Sequence, residues 1–386
     1  MSAQNHHNHH SIHITPKNTK SSFSVTLSNL KYYASRLSMP ALLQKLNPKK
    51  DAQKKASSEA AFRKTLNRTV TKVAKITGWS PKEVEAKFWQ AHNHVKCSPS
   101  EYFRYRLYNL TPQEQETYYY SFNQAILQKK YGTDKEFVSI ICDKERTNLY
   151  FSDYVRRPWC VNNRVSFEQF CDIFRNSSRV IYKPSGGHCG YGIEAFDLND
   201  QTRQAVYNKL ITYPQGVVEE YICQHPDMQR LSPSSVNSLR FVTVSSFTKS
   251  KNREPFVDIV YSIVRIGRGD SVVDNLHSGG MVANADLETG ILVTGGADHT
   301  STLYAVHPET GTPIKGFKIP YFFETLELVK EAIEKNRVEG YLGWDWAIGE
   351  NGPLLMEVNA RPGADGLQTA YALEGKGMKH VMEKYL

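Results

Sequence analysis

The stretch that most restricts what this chain can fold into is GYLGWDWAIGENGPLLMEVNARPG, residues 340 to 363. Two apolar runs flank Gly349-Glu350-Asn351-Gly352, a pattern that folds back on itself as a β-hairpin. Core strands rarely tolerate charge, yet Asp345 sits in the first run, and Glu357 and Asn359 end the second. Residues two apart on a strand share a face, so Glu357 and Asn359 point the same way, and the hairpin can set Asp345 beside them. Three hard oxygen donors converging without His or Cys suit magnesium, held partly through phosphates. Buried acids paired without a cation would repel, which makes a purely structural role a poor explanation.

From about residue 135 onward, short β-branched runs (RVIYK, GVVEEYI, LRFVTVSSF, FVDIVYSIVRI, ILVTGG) alternate with helical segments and with Gly-Asp or Asp-x-x-Thr-Gly turns. This mixture predicts an α+β domain over 135–386 rather than a regular parallel βαβ series. Residues 59–134 read differently. Ser80-Pro81-Lys82-Glu83, Ser98-Pro99-Ser100-Glu101 and Thr111-Pro112-Gln113-Glu114 each place a hydroxyl at the N-cap, proline at the first helical position and a glutamate able to reach back to the cap amide. They predict a helical domain. Its rings in EYFRYRLYNL and TYYYSFNQAIL are assigned to core packing, since no basic groove accompanies them for base stacking. His92, His94 and Cys97 are read as helix-surface residues, because no second half-site stands at zinc spacing.

A formal net charge of +9 raises the question of nucleic acid, and its distribution answers it. The first 70 residues hold 12 of the 48 Lys+Arg but only Asp51 and Glu59 among the acids, so the remainder is nearly electroneutral. No specific nucleic-acid partner is expected. Residues 1–58, rich in Ser, Asn, His and Lys, are expected to form a largely disordered basic tail. Its His6, His7, His9, His10 and His13 are read as solvated, with adventitious metal binding as the alternative. Its lack of acids before Asp51 resembles an organellar transit peptide. Within it, LSNLKYYASRLSMPALLQKL is a candidate basic amphipathic helix, suited to weak membrane association or to packing on the protein body. No apolar run approaches the ~18 to 20 residues of a membrane span, and no signal peptide opens the chain. Six cysteines (Cys97, Cys142, Cys160, Cys171, Cys189, Cys223) include no CxxC pair, so a cytoplasmic protein with reduced thiols is expected. Oligomeric state is left open, a homo-oligomer included.

Three further motifs carry chemistry. RVIYKPSGGHCGYGIEAF places Lys183 at a strand end before Gly186, Gly187, Gly190 and Gly192. Such glycines let backbone N–H groups fold over an anion, and the lysine adds a point charge for phosphate oxygens. The spacing is neither GxxxxGK[ST] nor GxGxxG. GVVEEYICQHPD then offers what an adenine slot needs, an acidic pair, backbone groups and the apolar walls of Tyr-Ile-Cys, and Asp227 follows for ribose hydroxyls. Arg240 and Arg265 end two further strands, the second leading into Asn275-Leu276-His277-Ser278-Gly279-Gly280. Arginine forks with an asparagine and a glycine pair can cradle a transferring phosphoryl group and a developing oxyanion. Asn275 is the catalytic candidate there, and His277 and Gly280 are substrate candidates.

In this order the pieces resemble the ATP-grasp superfamily across roughly residues 135 to 386. NLHSGG, GWDWAI and GPLLMEVNARPG are similar to the amino-acid ligases that include the ribosomal-protein glutamate ligases. The N-terminal helices followed by Asp143-Lys144 look more like the ATP-grasp proteins associated with sugar-transfer and surface-polysaccharide genes. The resemblance implies two α+β subdomains clasping ATP, with a Gly-rich lid over about 175–222. It implies that Lys144 and Lys183 hold the α- and β-phosphates, that Gly186 to Gly192 close on the triphosphate, and that Glu220, Tyr221, Cys223 and Asp227 take the nucleoside. Arg240 and Arg265 correspond to arginines near the γ-phosphate, and Asp345, Glu357 and Asn359 to ligands of Mg2+. Family members usually begin with a small α/β domain that helps bind the acceptor, and the helical region here departs from that. Arg361, following the metal strand, is the candidate for gripping a substrate carboxylate. The implied activity is ATP-dependent carboxylate-amine ligation through an acyl phosphate, on small-molecule, glycan or peptide substrates. A small-molecule kinase and a non-catalytic nucleotide-binding regulator are the alternatives.

Overall fold

The computed structural model describes residues 48–185, 192–248, 254–269, 274, 276 and 279–386. The chain divides into two compact units, Met1–Thr65 and Leu66–Leu386. Helix α1 (Pro48–Thr77) already covers residues 48–58, which were expected to belong to the tail. Lys and Ala, both good helix formers, are its commonest residues. The histidine cluster and the expected amphipathic segment lie outside the described residues.

Each of the three expected helix starts is present, at α2 (Pro81–Val95), α3 (Pro99–Arg104) and α4 (Pro112–Glu116). The cap hydroxyls of Ser80, Ser98 and Thr111 accept from the amide three residues on at 3.3 Å. In return the carboxylates of Glu83, Glu101 and Glu114 accept from the cap amides at 2.8, 2.7 and 2.7 Å. Four helices follow, α5 (Ser121–Lys130), α6 (Lys135–Ile141), α7 (Lys144–Tyr150) and α8 (Ser152–Val155).

Two sheets carry the rest, and every strand pairing in both is antiparallel, as an α+β chain requires. The smaller contains β1 (Trp159–Val161), β2 (Arg179–Pro184), β3 (Glu194–Asp197) and β4 (Gly216–Glu220), in the order β1-β4-β2-β3. Helices α9 (Phe167–Ile173) and α10 (Arg203–Leu210) cover it, their Phe170, Val206 and Leu210 packing with Val180, Tyr182 and Val218. Helix α11 (Pro226–Leu231) leads to the larger sheet. This has β5 (Leu239–Ser246), β6 (Phe256–Ile266), β7 (Met281–Ala285), β8 (Gly296–Asp298), β9 (Leu303–Tyr304), β10 (Gly340–Gly349) and β11 (Gly352–Asn359), in the order β11-β10-β5-β6-β7-β8-β9.

Alternation along β5 and β10 gives this sheet two apolar faces. Phe241, Trp344, Trp346 and Leu355 cluster with Val329, Ala332 and Ile333 of α12 (Phe322–Asn336). On the opposite face Val242, Val244, Tyr261 and Tyr341 cluster with Leu367 and Ala370 of α13 (Ala364–Leu373). Tyr119 and Leu127 from the helical region belong to this second cluster. The carboxamide oxygen of Gln368 accepts the amides of Tyr119 and Met378, at 2.8 and 2.9 Å. The segment of the helical region around Tyr119 and Leu127 therefore shares a core with the C-terminal segment. Among the described residues no helix is long and apolar enough to cross a membrane, and each of the five described cysteines is a free thiol.

Candidate active site

The hairpin of β10 and β11 forms as its sequence predicts, with Asp345 directly opposite Glu357. A register shift falls between Asp345 and Trp346, and such a bulge re-aims the side chain beside it. Across the other edge of β10, Asp345 faces Arg240 of β5. Arg240 donates to the carboxylate through Nε, and through Nη2 at 2.7 Å. Arg265 adds an Nη2 bond of 2.9 Å, and the Asn359 amide nitrogen one of 3.0 Å. Burial opposes the charge on Asp345, but Arg240 and Arg265 outweigh it and hold the carboxyl below its ordinary range. Arg265 is steadied in turn by Ser238 Oγ at 2.8 Å, and Ser238 bonds to the buried Asp274 through both amide and hydroxyl.

Glu357 differs from its opposite number, since its carboxylate is exposed. It acts electrostatically on both Arg240 and Lys183. Lys183 lies near the end of β2, and Lys144, at the first position of α7, donates to the Pro184 carbonyl at 3.1 Å. The two lysines expected to bind phosphate thus meet where the chain enters the Gly-rich segment. Gly186, Gly187 and Gly190 of that segment lie outside the described residues, as do Asn275 and His277. Gly280 is buried just before β7.

The acid beside Lys183 is Glu219, a residue the sequence reading assigned no role of its own. Lys183 pairs with Val217 and Ile181 with Glu219, so Lys183 and Glu219 are diagonal neighbours on one face of the smaller sheet, Nζ to Oε2 2.6 Å. Glu220 turns to the other face and accepts from Ser177 Oγ at 2.7 Å. Arg157, Lys183 and Asn148 all donate to Glu219. Burial pushes the Glu219 carboxyl up, and the two cations overcome this to hold it well below the usual range. For Lys183 burial dominates and lowers the ammonium's pKa despite Glu219. Period-two alternation in GVVEE could have separated Glu219 from Glu220 had the register of β2 been known. Nothing local marks Arg157, Asn148, Ser238 or Asp274.

Beyond β4 the chain crosses from one sheet to the other. The Tyr221 ring is stacked by the Arg179 guanidinium at 4.5 Å, and Tyr221 N donates to Arg179 O at 2.9 Å. Cys223, exposed, offers its carbonyl to the Glu350 amide in the β10–β11 turn at 3.2 Å, and His225 N donates to Ile348 O at 2.9 Å. Asp227 stands in the first turn of α11, half exposed, 3.5 Å from Arg230. The nucleoside candidates therefore line the link between the sheets, next to the hairpin that carries Glu357. Arg361, which follows β11, is exposed, and Pro362 crosses Gly343 so closely that a β-carbon there would lie 3.0 Å from the proline and 3.6 Å from Arg240.

A family model described as sugar-transfer associated ATP-grasp matches residues 134–385, nearly two thirds of the chain. The chain belongs to the sugar-transfer-associated ATP-grasp family. This ATP-grasp protein is also similar to D-alanyl-alanine synthetase A from Vibrio cholerae O1 biovar eltor, at 12% identity and a TM-score of 0.39, over 66% of each chain. It is similar to N5-carboxyaminoimidazole synthetase from Staphylococcus aureus complexed with ADP at 13% identity and 0.38, over 64% of this chain and 52% of that one. With the ATP-grasp ligase PsnB, complexed with a phosphomimetic variant of its minimal precursor, Mg and ADP, it shares 11% identity and a TM-score of 0.37, over 71% and 69%. No curated protein matches the chain.

Proposed function

We propose that this protein is an ATP-dependent carboxylate-amine ligase working through an acyl phosphate, in the assembly of a glycan or peptide-like metabolite. The observation that carries the reading is the exposed Glu357 carboxylate, set within electrostatic reach of both Lys183 and Arg240, directly across the hairpin from Asp345. A lone exposed acid among cations is a natural seat for a metal-bound polyphosphate.

Among the described residues no group of three His, Cys, Asp or Glu converges. Glu357 presents oxygens, and Asn359 gives only its amide nitrogen to Asp345, which leaves its Oδ1 without a described partner. Asp345 Oδ2 already accepts three donors, while Oδ1 has one partner, Arg240 Nε. Hard oxygens from Glu357 and Asn359, with Asp345 Oδ1 adjoining, fit magnesium. When bound, the ion neutralises phosphate charge and helps align the γ-phosphoryl group.

In the proposed reaction a substrate carboxylate attacks the γ-phosphorus of ATP, ADP leaves, and an amine then displaces phosphate from the acyl carbon. Lys183 and Lys144 hold phosphate oxygens, while Arg240 and Arg265, steadied by Asp345, face the charge that develops during transfer. No side chain need become a covalent nucleophile. Tyr221, Cys223 and Asp227 take the nucleoside, and Arg361 grips a carboxylate as it leaves the metal strand.

Hydroxylamine trapping tests the reading. Incubation with ATP, magnesium and a panel of carboxylates should yield hydroxamate and ADP. A phosphorylated alcohol instead would make the protein a kinase, and nucleotide binding without turnover would make it a regulator.

A further inference from the structure

Arg157 precedes β1 in Arg156-Arg157-Pro158, is almost wholly buried, and uses its guanidinium entirely within the protein. Its Nε and Nη2 donate to Glu219 Oε2 at 3.0 and 2.8 Å. Its Nη1 donates to the Val155 carbonyl at 3.1 Å and to the Leu355 carbonyl at 2.7 Å. Leu355 lies on β11, two residues before Glu357. One side chain therefore ties the sheet that carries Lys183 to the strand that carries Glu357.

The same guanidinium shares its carboxylate with Lys183. Oε2 of Glu219 accepts Arg157 twice and Lys183 once, and its Oε1 is taken by Asn148 at 2.9 Å. Two buried cations thus divide one buried anion, so one positive charge of the cluster is left to the exposed Glu357 and to whatever binds beside it. The two differ in what they can do with it. The Arg157 side chain is 1% exposed and turned inward, whereas Lys183 is 12% exposed. An ammonium has three N–H donors, and Glu219 takes one of them. Lys183 is placed to hand the surplus charge to a bound anion, and Arg157 is not.

We infer that Arg157 is a positioning residue that sets the affinity of the site for nucleotide phosphates: it competes with Lys183 for Glu219, and it holds Lys183 at a fixed span from Glu357. The inference rests on the nucleotide-binding reading above and adds a residue that touches no substrate. If Arg157 were removed, Glu219 would offset the charge of Lys183 in full, and a phosphate would meet a neutral pair instead of a net cation. If Glu219 were neutralised as well, the surplus charge would return. A purely structural role predicts the opposite order, with the double variant worse than the single one.

The test is calorimetric titration of the full chain with ADP in EDTA, alongside thermal unfolding. Arg157→Met should weaken ADP binding by at least about tenfold, the loss of one charge-assisted contact. Arg157→Met/Glu219→Gln should recover to within about threefold of wild type. Arg157→Lys keeps the charge but not the fork to Leu355 O, so it should bind ADP nearly normally in EDTA yet lose part of the tightening that magnesium gives wild type. Wild-type affinity in Arg157→Met, or a folded double variant that binds no tighter than Arg157→Met, overturns the inference. If Arg157→Met does not unfold cooperatively, Glu219→Gln decides: ADP binding tighter than wild type supports the inference, and equal or weaker binding overturns it. Wild-type protein that binds no ADP would overturn both the inference and the nucleotide reading, which separates the two failures.

Discussion

Asp345 and Arg240 stand directly opposite one another on neighbouring strands, and the guanidinium grips the carboxylate through Nε and Nη2. Arg265 takes the same carboxylate from the next strand over. Asp345 is therefore the electrostatic anchor of both arginines. Asp345→Asn would take the ion-pair partner from the largely buried Arg240 and leave Arg265 with Asp274 alone, 3.6 Å away, and breaking a buried pair from one side costs ~3–5 kcal/mol. Urea unfolding should show a loss of that size, and a change below ~1 kcal/mol would mean that the arginines find other partners.

Glu357 should behave differently although it faces Asp345 across the hairpin. Its carboxylate is exposed, so Glu357→Gln should change stability by no more than ~0.5 kcal/mol. Hydroxamate formation should fall at least ~10²-fold. Full activity of the variant at saturating magnesium would remove Glu357 from the metal set.

Acid should loosen the fold through Asp345 and Glu219. Burial raises both carboxyls, but their cation partners outweigh it and hold them below their ordinary values of 3.8 and 4.5. The unfolded chain then binds more protons in acid than the folded one, so this stabilisation is complete above those ordinary values and is lost as the pH falls through the lower folded-state ones. The denaturation midpoint should begin to drop below pH about 5 and keep dropping as the pH is lowered further. Asp345→Asn or Glu219→Gln should start lower at neutral pH and show a shallower fall. An unchanged slope in both variants would place the acid sensitivity elsewhere.

The seam between the helical region and the C-terminus offers a steric test. A β-carbon on Gly377 would lie 2.4 Å from the Thr117 carbonyl oxygen and 2.5 Å from its carbon, and Lys379 N donates to that same oxygen at 2.9 Å. Backbone cannot give way as a flexible side chain would. Gly377→Ala should destabilise by ~1–3 kcal/mol, read as a lower denaturation midpoint. A neutral result would show that the two segments part easily.

What could be read from the chain alone was whatever depends on local spacing. The three proline-started helices rest on contacts within four residues, and each appears as expected. The β10–β11 hairpin closes on its own two-residue turn, so the facing of Asp345 and Glu357 follows from alternation and a short loop. The motifs around them were enough to indicate an ATP-grasp chain. Tertiary structure alone decided how charge is shared. Arg157 meets Glu219 and Leu355 only because the fold brings β4 and β11 within reach of one side chain, and Arg240 and Arg265 share Asp345 because β10, β5 and β6 are neighbours in an order that is not their order in sequence. The choice of Glu219 over Glu220 was set by the register of β2 on β4, and a shift of one residue would reverse it. Such contacts join residues far apart in sequence, so no local pattern encodes them. Burial fixes their energies, because a charge removed from water must find its partner inside the protein.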